Sequence, residues 1–225
     1  MLNSLLWCIG CASKMLSHQR IRAGIRVCAE CDPTVPPRLE KIVVPMFIER
    51  IGFPPSTMDD ILIGGKQCDT NIRRPDTCWI SHNRIVFLEI DEHGHCDREP
   101  SCEVAKVIDQ TLSVQKIYND ATVAHFRFNP SEFDRCMNLE SRVARCALDI
   151  QIFLNSAGEW SSSNPYLFYY FYPQKAHHQI EYVLQEAADA IKVMIIQDGI
   201  FSEVQSIDDV VNSWNVDKRR KIDSV

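Results

Sequence analysis

The chain has 225 residues, 45% hydrophobic and 24% charged, the proportions of an ordinary globular protein with room for one sizeable core plus a small appendage. No apolar run approaches the ~20 residues that span a bilayer, so a soluble protein with no membrane partner is expected. The net charge of −6 does not advertise nucleic-acid binding, yet residues 1–42 hold six Lys/Arg against three acids, a balance of +3 that leaves −9 for the remainder. A basic appendage on an acidic body either supplies phosphate contacts that the body lacks or is plain solvated surface, and charge alone does not separate the two.

The first element in the chain is a cysteine pattern. Cys8-x-x-Cys11 and Cys28-x-x-Cys31 are separated by sixteen residues, a spacing that lets two short turns present four thiolates to one zinc ion. The alternative is four buried or incidental cysteines. Four of the ten cysteines lie in these pairs and the others scatter through apolar segments, which fits a reducing intracellular compartment, nucleus or cytoplasm, better than a disulfide-rich secreted chain. The opening "MLNSLLWCIGCASK" has no positive side chain ahead of its apolar stretch and reads as part of the fold rather than a cleaved signal. Zinc would contribute most of the folding energy of a module over 1–35, and Lys14, Arg20, Arg22 and Arg26 would lie between its two turns.

After Pro36 and Pro37, Leu39, Ile42, Val43, Met46, Phe47 and Ile51 recur at helical spacing and stop near Gly52 and Pro54, predicting an amphipathic helix. "DDILIG" at 59–64 reads as a short strand, and residues 77–90 as two strands joined at "SHNR", the second apolar enough to be central. Asp97 is placed to cap a helix that begins at Pro100. Then follow a strand at 121–128, a helix through Leu139, Val143, Cys146, Ile150 and Leu154, an aromatic strand at 166–172, and a helix through Ile180 to Ile191. This order predicts a mixed sheet flanked by helices over 36–216. The tail at 217–225 contains "KRRK", which is either a nuclear address or a solvated end.

Chemistry concentrates at 73–95. Asp76 opens one strand, and Glu89 and Asp91 stand two apart near the end of the next, so the last two share a sheet face. If the hairpin brings Asp76 alongside, three carboxylates converge and repel unless a divalent cation lies among them; oxygen ligands suit magnesium or manganese. The alternative is a set of solvated strand-end acids.

"RRPD", an apolar strand ending "EIDEHGH", then "CEVAK" and "HFRFNP" together resemble the PD-(D/E)XK, restriction-endonuclease-like nuclease superfamily, in particular a branch seen in large DNA viruses and algae. The resemblance covers roughly residues 36–135 and includes the element order of helix, three strands, helix and strand. It implies that Asp76 and Glu89 ligate the divalent ion, with the carbonyl of Ile90 as a further ligand. Asp91 stands where the family carries a lysine that orients or deprotonates the attacking water; as an acid it would bind a second ion or accept a proton instead.

Lys106, with Glu103 one turn before it, either points a cation toward the site or forms a surface ion pair. His95 is a candidate proton shuttle; with His93, Cys96 and Cys102 it could instead form a second zinc site. Arg73, Arg74, Arg84 and Arg127 are candidate phosphate contacts, with ordinary strand-end charges as the alternative for the first three, and Glu40 is a candidate supporting acid. The sequence therefore leads to a magnesium- or manganese-dependent endonuclease acting on nucleic acid, DNA in the first instance, with a structural zinc module. The competing expectation is a non-catalytic protein that keeps the same fold as a scaffold. Whether two chains pair to cut both strands is left open.

Overall fold

In the computed structural model β1 (Thr77–Ser81) and β2 (Arg84–Ile90) form the antiparallel hairpin that the pattern of 77–90 predicts, with Thr77 opposite Leu88. His82 takes a φ of 53° in the connecting turn, a left-handed conformation that hairpin turns of two residues commonly need. Every residue of β2 is buried, as a strand covered on both faces should be. The structure describes residues 9–10, 16, 18–28, 31–32, 34, 38–56, 75–92, 99–131, 137–156, 160, 164–172, 177–187, 189–197 and 200–203. The expected strand at 59–64, Asp97 and the tail lie outside them.

Among the described residues two helices precede the hairpin, α1 (His18–Arg22) and α2 (Leu39–Ile51). Gly52, with φ 85° and its amide on the Ile48 carbonyl, ends α2 in the way a glycine after the last helical residue does. After β2 come α3 (Pro100–Gln115), β3 (Thr122–Phe128), α4 (Leu139–Asn155), β4 (Tyr166–Tyr170), α5 (His177–Glu186), β5 (Lys192–Gln197) and β6 (Ile200–Glu203). Proline at its first position starts α3, but the residue ahead of the helix is Glu99 and it makes no side-chain cap. Asn138 caps α4 by accepting a hydrogen bond from the Ser141 amide at 2.8 Å.

The strands form one six-stranded mixed sheet in sequential order, parallel from β2 to β5 with an antiparallel strand at each edge. Val86, Leu88, Ala124, Phe126, Phe128, Phe168 and Tyr170 face α2 and α4, where the Phe126 and Phe168 rings stack 4.5 Å apart. Phe87, Val123, Leu167, Tyr169, Val193 and Ile195 face the side occupied by α3 and α5. The steps from β2 to β3, β3 to β4 and β4 to β5 run in one direction across the sheet, while α4 lies on the opposite face from α3 and α5. The β3–α4–β4 crossover thus has the opposite hand to its neighbours, so at least one departs from the right-handed rule.

The sequence expectation of an α/β protein with a mixed sheet flanked by helices holds at that level. The expected order does not contain α1, β5 or β6, and two other elements differ in extent. The helix expected through Ile191 stops at Glu186, and Ile191 leads into β5. The aromatic strand stops at Tyr170 because Phe171 adopts a φ of 59°, a left-handed conformation that strand pairing does not accommodate.

The chain divides into two compact units, Met1–Ile42 and Val43–Val225. In the first, Leu16 and Cys28 are buried together with Ile21, Val27 and Cys31 against them. Among the described residues no helix is long and apolar enough to cross a membrane.

Candidate active site

The β1–β2 register carries Asp76, one residue before β1, across from the end of β2. There its Oδ2 accepts a hydrogen bond from the Ile90 amide at 2.6 Å, standing in for a ladder carbonyl. Glu89 points from β2 to the α3 side, where its Oε2 lies 2.6 Å from Nζ of Lys106. Its other oxygen, Oε1, is buried and has no hydrogen-bond partner among the described residues. The sequence expectation that the hairpin brings Asp76 beside the end of β2 therefore has its geometric counterpart, and Lys106 reaches Glu89 from the next helix.

Asp91 stands differently. It is fully buried, and its Oδ2 accepts from Nε of Arg127 at 2.6 Å and from the Tyr172 hydroxyl. Arg127 lies on β3 in register with Glu89 and reaches Oε2 of Glu103 on α3 through Nη2, again at 2.6 Å. One guanidinium thereby ties β2, β3 and α3 together. Burial opposes its charge, but Asp91, Tyr172 and Glu103 outweigh burial and hold its pKa well above the ordinary arginine value. Burial and then Asp91 push the Tyr172 hydroxyl well up, and burial pushes Tyr169 up to about 12, so both phenols stay neutral beside the network.

Three side chains are thus placed otherwise than expected. Asp91, expected beside Asp76 and Glu89 as a third oxygen ligand, has its Oδ2 paired with an arginine on the adjacent strand. Among the described residues no three His, Cys, Asp or Glu side chains gather to hold a metal ion. Arg127 does not face a phosphate, being 3% exposed and spent on two carboxylates. Arg84 is buried at the opposite end of β2, where it donates to the carbonyls of Trp160 and Ser156 and lies over the Phe153 ring. Arg73, Arg74, His93, His95, Cys96, Cys8 and Cys11 fall outside the described residues.

Other groups hold this end of the sheet together. Asn129, which ends β3, donates through Nδ2 to the Phe171 carbonyl at 2.9 Å and accepts the Ser131 amide. Arg142 on α4 donates to the carbonyls of Asn129, Pro130 and Ser131, holding the loop beyond β3. In sequence Tyr172 is the last residue of the aromatic strand expected at 166–172; nothing local marks it as an acid's partner.

His125, two residues before Arg127, stacks on Phe87 and shares a 3.0 Å hydrogen bond with the Thr111 hydroxyl. Burial, then the charges of Lys106 and Arg127, lower its pKa from 6.5 to about 3. Between those values the unfolded chain carries a proton that the folded chain refuses, so this contribution is complete above pH 6.5 and is lost as pH falls toward 3. His125→Phe should therefore flatten the acid limb of a stability–pH curve by about one proton, or ~1.4 kcal/mol per pH unit. Equal limbs in urea titrations of the two chains would refute the buried neutral imidazole.

In the first unit, Cys31 and Asp32 both donate their amides to the Cys28 carbonyl, at 3.1 and 3.0 Å, closing a tight turn at the second cysteine pair. The Ile9 amide donates to the Arg26 carbonyl at 3.0 Å, which draws the chain between Cys8 and Cys11 alongside the approach to Cys28. Arg22 and Arg26 are exposed, whereas Arg20 is engaged by Asp32 and the Val27 carbonyl. Comparison of the chain with protein families, with curated proteins and with solved structures found no match.

Proposed function

We propose that the chain is a metal-dependent endonuclease with a restriction-endonuclease-like core, in which Asp76 and Glu89 hold a divalent ion and Lys106 replaces the lysine absent from the strand. The observation that carries this reading is the state of Glu89. One oxygen is paired with Lys106 and the other is buried with no partner among the described residues, an arrangement that costs free energy unless a further cation or donor meets it. Two carboxylates and the Ile90 carbonyl form a hard-oxygen set of modest number, which suits magnesium or manganese. When bound, such an ion supplies Lewis acidity toward a phosphoryl oxygen and toward water.

The chain's own residues divide the remaining work. Lys106, only 16% exposed, places an ammonium at the acids, where it can orient an attacking water or offset charge that develops on the phosphoryl group. Asp91 is not the proton acceptor in this scheme; its charge is committed to Arg127. The site lies beyond the carboxyl ends of parallel strands, the usual place for ligands in open α/β sheets. The order helix, strand, strand, helix, strand from α2 through β3 supports this reading.

The test is cleavage of single- and double-stranded DNA and RNA with magnesium or manganese against chelator, beside Glu89→Gln. We expect metal-dependent cutting that Glu89→Gln abolishes. Cutting that survives in Glu89→Gln, or no cutting of any substrate by the metal-loaded chain, would overturn the reading, and the second result would favour a scaffold.

For the first unit we infer a structural zinc ion on Cys8, Cys11, Cys28 and Cys31, supported by the turn at Cys28–Cys31 and the Ile9–Arg26 hydrogen bond. With four thiolates the ion does no chemistry, and exposed Arg22 and Arg26 are left to meet a phosphate backbone. Cys28→Ser should lose zinc from the purified protein; unchanged zinc content by elemental analysis would reject the module.

A further inference from the structure

Resting on the reading of Glu89 and Lys106 as the active site, we propose that Arg127 and Glu103 are positioning residues that fix the seat of α3 on the sheet and so hold Lys106 against Glu89. Three observations converge on this. Arg127 and Glu89 are register partners on adjacent strands and share the face toward α3. Glu103 stands three residues before Lys106, hence beside it on the same side of the helix. The two contacts from sheet to helix, Arg127 with Glu103 and Glu89 with Lys106, are each 2.6 Å long and run in opposite polarity, cation to acid and acid to cation.

The rest of the α3 seat does not fix position so closely. Val104 and Val107 pack among Ile180, Val183 and Tyr169, and such apolar contacts are non-directional and tolerate small slides. Glu99, ahead of the helix, makes no side-chain cap that would pin the first turn. A charge-assisted hydrogen bond, by contrast, weakens steeply with displacement and angle, and Arg127 is itself immobilised by Asp91. Any slide of α3 that breaks Glu103 from Arg127 carries Lys106 with it. Because misplacing a reacting group by ~1 Å costs roughly 100-fold in rate, the clamp acts on turnover without touching substrate.

The test uses the 225-residue chain and two readouts. Brief acylation with an amine-reactive ester, read by peptide mass spectrometry, reports how firmly Lys106 is held, with exposed Lys116 at the end of the same helix as internal control. Glu103→Ala should raise Lys106 acylation about 10-fold, the scale of one lost charge-assisted hydrogen bond, with Lys116 unchanged and unfolding still cooperative. In the manganese cleavage assay kcat should fall ~100-fold while KM stays within about threefold. Glu103→Gln keeps an acceptor for Arg127 and should recover most of both. Arg127→Lys, which cannot bridge two carboxylates, should reproduce Glu103→Ala. Unchanged Lys106 acylation in a cooperatively folded Glu103→Ala chain would overturn the proposal. So would failure of Glu103→Gln to improve on Glu103→Ala. If the unsubstituted chain cuts nothing, the nuclease reading fails, and the acylation pattern still decides whether the clamp holds Lys106.

Discussion

Lys106→Met is expected to keep divalent-ion binding and to lose about 10²- to 10⁴-fold in turnover, the range of a positioned acid–base or charge-stabilising group. Methionine preserves most of the aliphatic stem, so α3 should pack as before, while the ammonium 2.6 Å from Glu89 disappears. Removing a fixed cation from beside Glu89 also leaves its charge less satisfied, so manganese should bind as tightly or more tightly. Asp76→Ala supplies the contrast. It removes a proposed ligand and frees the Ile90 amide from its 2.6 Å acceptor, so binding and turnover should fall together. Calorimetric titration with manganese and single-turnover cleavage separate the two patterns. Wild-type turnover in Lys106→Met would show that the charge missing from the strand is supplied elsewhere.

The second large effect is on stability. Asp91→Ala should destabilise the fold by about 3 kcal/mol, at the low end for breaking a buried ion pair because Glu103 still faces Arg127. For a chain of this size that is a fall of roughly 6–12 °C in Tm. Asp91→Lys, which would place the lysine that the resemblance leads one to expect, should be worse. It would set a second cation beside a guanidinium that is 3% exposed, in a position where neither charge can reach water. Thermal unfolding of the two variants tests this order, and an Asp91→Lys chain as stable as the parent would show that the Arg127 pair is dispensable. Asp91 thus answers Arg127 on the neighbouring strand, and on the proposed reading Lys106 of the next helix supplies the cation.

What the sequence made legible follows from period and punctuation. The hairpin at 77–90, the start of α3 at Pro100 and the end of α2 at Gly52 each carry a local signal, and each appears. The end of α5 was misread because Ile191 continues the apolar spacing of that helix while also opening the run "IKVMIIQ". The "DG" that follows this run is a hairpin signal that would have favoured two strands there. At the site, Asp76, Glu89 and Lys106 were nominated from spacing and resemblance. The destination of Asp91 was not legible, because its partners Arg127 and Tyr172 are 36 and 81 residues away in the chain. Period-two reasoning states which face an acid takes, not which cation on the next strand claims it.

The left-handed backbone at Phe171 has a consequence for the order in which the molecule matures. Tyr172 can approach Asp91 only after β4 has docked on β3 and the chain has turned at Phe171. A ribosome-bound chain that has emerged only as far as β3 already holds Asp76, Glu89, Asp91, Glu103, Lys106 and Arg127, yet lacks the phenol that completes the Asp91 cluster. Its parallel pairings are also the slow, long-range kind. The acids are thus synthesised well before the last of their partners, and the site matures as a late product of folding.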